Sequence, residues 1–254
     1  MSAKGTNWFD QGGAGYARYR PDYPEALAIA LAKLTPDRRL AVDVGCGNGQ
    51  FSRLLTAYFD HVIALDPSAD QIAHAVPGER LDYRVAPAEA LPVENGSAVL
   101  IMAAQAAHWF DLPAFYGEVR RVATPDAVVA LVSYGVMEAP EDAAIHARLR
   151  RFHDEDVGPW WPTERALVVG GYADIDFPFE TIDVPSVAIE RTWDMAQLMG
   201  YIATWSAVRR ALDAGQTHLL IDFEADMRTL WGGEGRPVAI RWPISVKAGR
   251  VFPA

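Results

Sequence analysis

The chain predicts an open, doubly wound, mostly parallel α/β sheet of seven strands, with a helical cap inserted near the C-terminus. Three observations carry this expectation. Short apolar runs alternate with amphipathic stretches through the first half of the sequence, the pattern of strands alternating with crossover helices. Runs such as 98–103 (AVLIMA) and 127–133 (AVVALVS) are apolar at every or nearly every position, as strands covered on both faces are. The first such run ends in glycines at alternate positions, Gly45, Gly47 and Gly49, and a helical stretch follows.

Taken in order, 24–34 (PEALAIALAKL) spaces its apolar residues as a helix does, with Pro24 near the first turn, where its missing N–H costs little. Residues 40–44 read as a buried strand and 50–59 (QFSRLLTAYF) as the helix after the glycines. The run 61–65 (HVIAL) is a second strand ending at Asp66, with a helix over 68–76. A less regular strand at 83–86 precedes the strand 98–103, an amphipathic helix at 113–122 and the fifth strand, 127–133. Beyond these, helices are expected at 143–152 and 163–169, a strand at 174–184, and helices at 193–211 and 217–231. The last strand, 238–251, carries Pro243 in its middle, where a ladder hydrogen bond is lost. The expectation is one domain over 1–254, its last two strands completing the sheet and the helices of about 193–231 inserted between them as a cap.

Composition narrows the function classes. Half of the 254 residues are apolar, enough for a large core, and the net charge of −10 argues against a nucleic-acid backbone as partner. Cys46 is the single cysteine, which excludes an intrachain disulfide and suits a cytoplasmic protein. The N-terminal residues show no signal-peptide pattern, and no apolar run approaches the roughly 20 residues of a membrane span. His61, His74, His108, His146, His153 and His218 lack metal-ligand spacing, HDED at 153–156 reads as a solvated charge cluster, and no G-x-S-x-G elbow occurs. The expected partner is a small molecule, bound by a monomer or homodimer, with no metal.

In such sheets ligands bind outside the carboxyl ends of the strands. That singles out 45–49, Asp66, 86–89, 104–109 and Tyr134. Alternate glycines let a ligand approach the backbone closely. The spacing is GxGxG, not the GxGxxG of dinucleotide loops, and Asp43 at the strand end would repel a pyrophosphate while favouring an ammonium or sulfonium. The sign of that charge points to S-adenosylmethionine; otherwise Asp43 caps the turn through loop N–H groups. Asp66 stands where nucleotide folds hold ribose hydroxyls, although DPS is also a helix-start signal.

The segments DVGCGNGQF, LDPS, APAEALP and AAQAAHWFD, in this order and spacing, resemble class I S-adenosylmethionine-dependent methyltransferases. Within them the chain is similar to the small-molecule branch that includes trans-aconitate and ubiquinone/menaquinone-biosynthesis methyltransferases. The resemblance covers Trp8 to about Tyr134 and implies a Rossmann-like sheet. It further implies that the methionine part of the cofactor lies against Asp43, Gly45, Cys46, Gly47, Asn48 and Gly49, the ribose on Asp66, and the adenine between Pro67 to Gln71 and Ala88 to Glu89. Many relatives carry an aspartate where this chain has Pro87, so Glu89 or backbone groups would meet the adenine edge instead. Gln105 falls where relatives contact the methionine portion. Tyr16 and Arg20 match positions that fold over the cofactor; the alternative is an ordinary helix face.

Methyl transfer from a sulfonium to oxygen or carbon, leaving S-adenosylhomocysteine, is an in-line displacement that chiefly requires alignment and exclusion of water. His108, just after the fourth strand, is the candidate general base, as Tyr134 is after the fifth. The alternative for His108 is a structural histidine ordered by Trp109 and Asp111. Trp160, Trp161, Trp193 and Trp205 are candidates for an apolar acceptor pocket or for packing. Two rival functions remain at this level: an NAD-dependent oxidoreductase on a similar sheet, and a cofactor-binding module without turnover.

Overall fold

The computed structural model describes residues 21–233 and 235–252. They form two compact units, one of residues 22–135, 166–187 and 244 onward, the other of 136–165 and 188–243 together with Pro21.

The first unit holds the sheet. Helix α1 (Glu25–Leu34) is followed by β1 (Leu40–Val44), α2 (Gln50–Leu55), β2 (His61–Asp66), α3 (Ala69–Ala73), β3 (Leu81–Val85), β4 (Ala98–Ala104), α4 (Leu112–Val122) and β5 (Ala123–Tyr134). Later come α5 (Ala143–Arg151), α6 (Arg165–Val169), β6 (Glu180–Ile182), β7 (Val187–Trp193), α7 (Met195–Ile202), α8 (Ser206–Asp213), α9 (Thr217–Trp231) and β8 (Val238–Val251). The sheet has eight strands, one more than the seven expected: seven lie in the order β3-β2-β1-β4-β5-β8-β6, and β7 pairs with β8 off this path. The pairs among β1 to β5 are parallel, whereas β8 runs antiparallel to β5 and β6. This is the doubly wound, mostly parallel sheet expected from the sequence.

The strand order reverses between β1 and β4, whose pairing sets Asp43 opposite Met102. Chain segments leaving the two strands diverge there to opposite faces, which opens a crevice at their carboxyl ends. Both strands are central and apolar because both sheet faces are covered. Val42, Val44, Ile101 and Ala103 belong to one buried cluster with Phe115 and Val119 of α4.

Several boundaries depart from the sequence pattern. The helix after the glycines ends at Leu55, and the strand expected at 174–184 narrows to Glu180–Ile182. The fifth strand starts earlier than its apolar run, because Pro125 and Asp126 sit in a bulge where the register shifts; Asp126 has φ +60°. Trp193 ends a strand rather than opening a helix, and the stretch after it breaks into α7 and α8.

The second unit is rich in aromatic contacts. Phe152 stacks on Phe223 with centroids 4.0 Å apart, and Trp161, Trp205, Tyr201, Trp193 and Trp242 continue the cluster. His153, expected in a solvated charge cluster, is buried. It lies in a π-helical turn (Phe152–Asp156), which rotates it inward between Trp161 and Trp205. Its Nδ1 is 2.6 Å from Asp154 Oδ1, and burial lowers its pKa. No helix among the described residues is long and apolar enough to cross a membrane, and no group of three or more His, Cys, Asp or Glu among them could hold a metal.

Candidate cofactor site

The site is built from the carboxyl ends of β1, β2 and β4. Residues leaving β1 turn sharply because Gly45 and Cys46 both donate their N–H to the Leu65 carbonyl at the end of β2, at 2.7 and 2.9 Å. The turn is then completed by left-handed glycines. At Gly49 (φ +82°) a side chain would collide with the Tyr83 ring, so the residue must be glycine for both conformation and space. At Gly47 (φ +56°) the nearest atom a Cβ would meet is Gln71 Oε1, 3.7 Å away, so the backbone there is open to a ligand.

Asp43 lies beneath this loop, 1 % exposed. Its Oδ2 accepts a 2.6 Å hydrogen bond from the Ser52 hydroxyl in α2, and its Oδ1 is buried with no hydrogen-bond partner among the described residues. The carboxylate therefore does not cap the loop. Burial pushes its pKa up to about 7, the Ser52 hydrogen bond opposes that rise, and the Asp66 charge adds to it. A buried, half-satisfied carboxylate at a strand end is costly unless a cation or donor meets it.

Asp66 is half-buried at the end of β2. Its Oδ2 accepts the Gly47 N–H at 2.8 Å and its Oδ1 the Ser68 N–H at 2.9 Å. The helix cap foreseen for Asp66 is made instead by Ser68, whose hydroxyl accepts from the Gln71 N–H of α3. Each Asp66 oxygen keeps lone-pair capacity beyond its one N–H bond. Burial raises its pKa, offset in part by the two N–H groups. Cys46 between the two acids is pushed far up by burial and by both negative charges, so its thiol stays protonated.

Chain comparison places this geometry. The methyltransferase-domain family matches residues 42–131. A solved structure from Anaeromyxobacter dehalogenans, assigned as a type II methyltransferase, is 40 % identical with a TM-score of 0.88, covering 93 % of this chain and 100 % of the other. This chain belongs to the class I S-adenosylmethionine-dependent methyltransferases. A Dictyostelium discoideum protein assigned as a methyltransferase is 29 % identical over 234 residues, spanning 90 % of this chain and 89 % of its own. A Saccharomyces cerevisiae protein named as an S-adenosylmethionine-dependent methyltransferase is 31 % identical over 130 residues, 48 % of this chain and 45 % of its own.

The residues of this methyltransferase fit a cationic nucleoside cofactor. Asp43 Oδ1 is an orphaned acceptor beneath the loop, Gly47 leaves its backbone open, and Asp66 stands beside it. Gln105, after β4, adopts φ +57°, uncommon for a side chain of its size, and its Nε2 donates to the Tyr134 carbonyl at 2.7 Å. Tyr134 itself is buried, its ring 5.8 Å from that of Tyr23. The segment after β3 is tied to β2 by the Ala86 N–H, which donates to the Asp66 carbonyl. Ala88 is buried there, while Glu89 accepts the Asp111 N–H through Oε1 at 2.9 Å, so that oxygen already serves the start of α4. Pro67 is exposed and Asn48 half-buried beside them.

His108 lies in a one-turn helix (Ala107–Trp109). Of the two neighbours expected to order the imidazole, Trp109 packs against it with centroids 4.8 Å apart, whereas Asp111 caps α4 through the Ala114 N–H; Tyr172 hydrogen-bonds the ring. Tyr16 and Arg20 lie outside the described residues. The tryptophans Trp161, Trp193 and Trp205 pack on one another and on their neighbours in the second unit. Sequence reasoning missed Ser52, Tyr83 and Tyr172. Nothing in local spacing marks them: Ser52 reaches Asp43 across the glycine turn, and Tyr83 and Tyr172 arrive from segments distant in sequence.

Proposed function

We propose that this methyltransferase moves the methyl group of S-adenosylmethionine to oxygen or carbon of a small-molecule acceptor by in-line displacement. The observation that carries the reading is the buried Asp43 carboxylate with one unpartnered oxygen under a loop of left-handed glycines. When bound, the cofactor supplies an electrophilic methyl on a cationic sulfur. The chain's residues bind and orient. Asp43 and the loop 45–49, with Gln105, hold the methionine end; Asp66 receives the ribose hydroxyls; 67–71 with Ala88 and Glu89 flank the adenine. His108 meets the acceptor. The reading of 1–254 as one domain with a helical cap at about 193–231 is part of the same proposal.

Calorimetric titration with S-adenosylmethionine, S-adenosylhomocysteine and NADH tests the cofactor, and a methyl-transfer screen over carboxylic acids, phenols and neutral alcohols tests turnover. Binding of the first two but not NADH, with transfer to at least one acceptor class, is expected. Binding without transfer to any of them would replace the enzyme by a cofactor-binding module. Sedimentation distinguishes monomer from homodimer.

A further inference from the structure

Past the end of β4, the Nδ1 of His108 lies 2.9 Å from the hydroxyl of Tyr172, a residue 64 positions away in sequence. Tyr172 is wholly buried and has φ +61°, a conformation a bulky side chain keeps only where its surroundings impose it. Here they do. Lys247 on β8 donates from Nζ to the carbonyls of Tyr172, Ala173 and Ile175 at 3.2, 3.0 and 2.7 Å, which clamps the segment behind the ring. The Tyr172 N–H also donates to the Leu167 carbonyl of α6 at 2.8 Å. Backbone and ring are thereby held where the phenol reaches the imidazole, an arrangement no helix or strand geometry requires.

We infer that Tyr172 is a positioning residue that fixes the tautomer of His108, donating its O–H to Nδ1 so that the neutral imidazole carries its proton on Nε2. The direction follows from the two groups' chemistry. A phenol O–H is a stronger acid than a neutral imidazole N–H, and the bare ring nitrogen is a far stronger base than a phenol oxygen. The bond is therefore best made from oxygen to nitrogen. The consequence alters the role expected for His108: whatever group meets Nε2 meets an N–H donor rather than a base.

Resting on the reading of His108 as the residue that meets the acceptor, this narrows the substrate class to molecules whose nucleophilic oxygen is already ionised, such as carboxylates or acidic phenols. The Nε2–H would hold that oxygen in line. A bond forms from the oxygen to the methyl carbon as the carbon–sulfur bond breaks, the electron pair stays on sulfur, and no proton has to move.

The test uses the full chain labelled with 15N-histidine and neither cofactor nor acceptor, so its outcome is separate from the calorimetry that tests the methyl-transfer reading. Long-range 1H–15N correlation spectra above the imidazole titration range, with His108 assigned by its loss in His108→Gln, read the tautomer directly. The expected result is an unprotonated Nδ1 and a protonated Nε2 in the wild type, with loss of the single tautomer in Tyr172→Phe at a retained thermal midpoint. A protonated Nδ1 in the wild type overturns the inference, and so does an unchanged tautomer in folded Tyr172→Phe. In the acceptor screen, transfer to carboxylates or ionised phenols supports the substrate class, and transfer confined to neutral alcohols overturns it. Transfer to no acceptor counts against the methyl-transfer reading itself.

Discussion

Asp43 and Asp66 show how two carboxylates can be held apart in role by their surroundings. Asp43 has a pKa of about 7 against an ordinary value of 3.8. A carboxyl whose folded pKa is raised supports folding at pH below its unfolded value, and that support is lost as pH climbs through the folded value. Relative to wild type, Asp43→Asn should therefore gain stability as pH rises from about 4 to 7 and keep that gain above it, read from urea denaturation at each pH. Cofactor affinity should run the other way. A cation beside Asp43 binds best when the carboxyl is ionised, so wild-type affinity should rise by up to about tenfold per pH unit below 7 and level off above it, a dependence that Asp43→Asn should lack in calorimetry. Asp66→Ala should weaken cofactor binding by about 1.5–3 kcal/mol, roughly 10- to 100-fold, since it removes hydrogen bonds to a charged group and frees the Gly47 N–H. Unchanged affinity in the folded variant would sink the ribose assignment. Both acids were legible from the sequence, as residues ending apolar runs beside alternating glycines. The Ser52 hydroxyl that satisfies half of Asp43 was not, because a side-chain hydrogen bond across a turn leaves no periodicity.

At the scale of elements, the glycine loop works because three things coincide: Leu65 receives two of its N–H groups, left-handed backbone bends it, and Tyr83 packs against its last glycine. Gly49→Ala should thus cost about 2–4 kcal/mol, combining the left-handed strain of a side chain with the collision against Tyr83, and chemical denaturation should show it as a lower midpoint at unchanged slope. Strands and helices of the first half were readable because both-face burial writes a continuous apolar run and an amphipathic helix writes a 3.6-residue period. The second half hid two features. Strand β7, Val187–Trp193, mixes Glu190 and Arg191 into its run, since only Ile189 and Trp193 of it are buried. The π-turn at 152–156 inserts one residue into the helical period, so His153, which the charge pattern places in solvent, ends inside.

At the scale of the whole molecule, the sheet unit and the aromatic unit gain stability by different packing. The former packs aliphatic strands between helices; the latter relies on ring contacts such as Phe152 on Phe223. Phe152→Ala should cost about 3–5 kcal/mol, the range for removing a buried aromatic side chain, and a loss below about 1 kcal/mol by urea titration would mean the site repacks. The sequence by itself determined the sheet's strands, the glycine loop and the two acids, because apolar periodicity, glycine spacing and charge are local properties of the chain. Only the tertiary structure decided which atoms are left unsatisfied and which partners orient the reacting groups. Asp43 Oδ1 is orphaned because Ser52 reaches only one carboxylate oxygen, and the Tyr172 hydroxyl meets the His108 imidazole across 64 residues of chain, in a segment whose carbonyls Lys247 holds. Such contacts join positions whose separation in sequence carries no period, so folding alone brings them together.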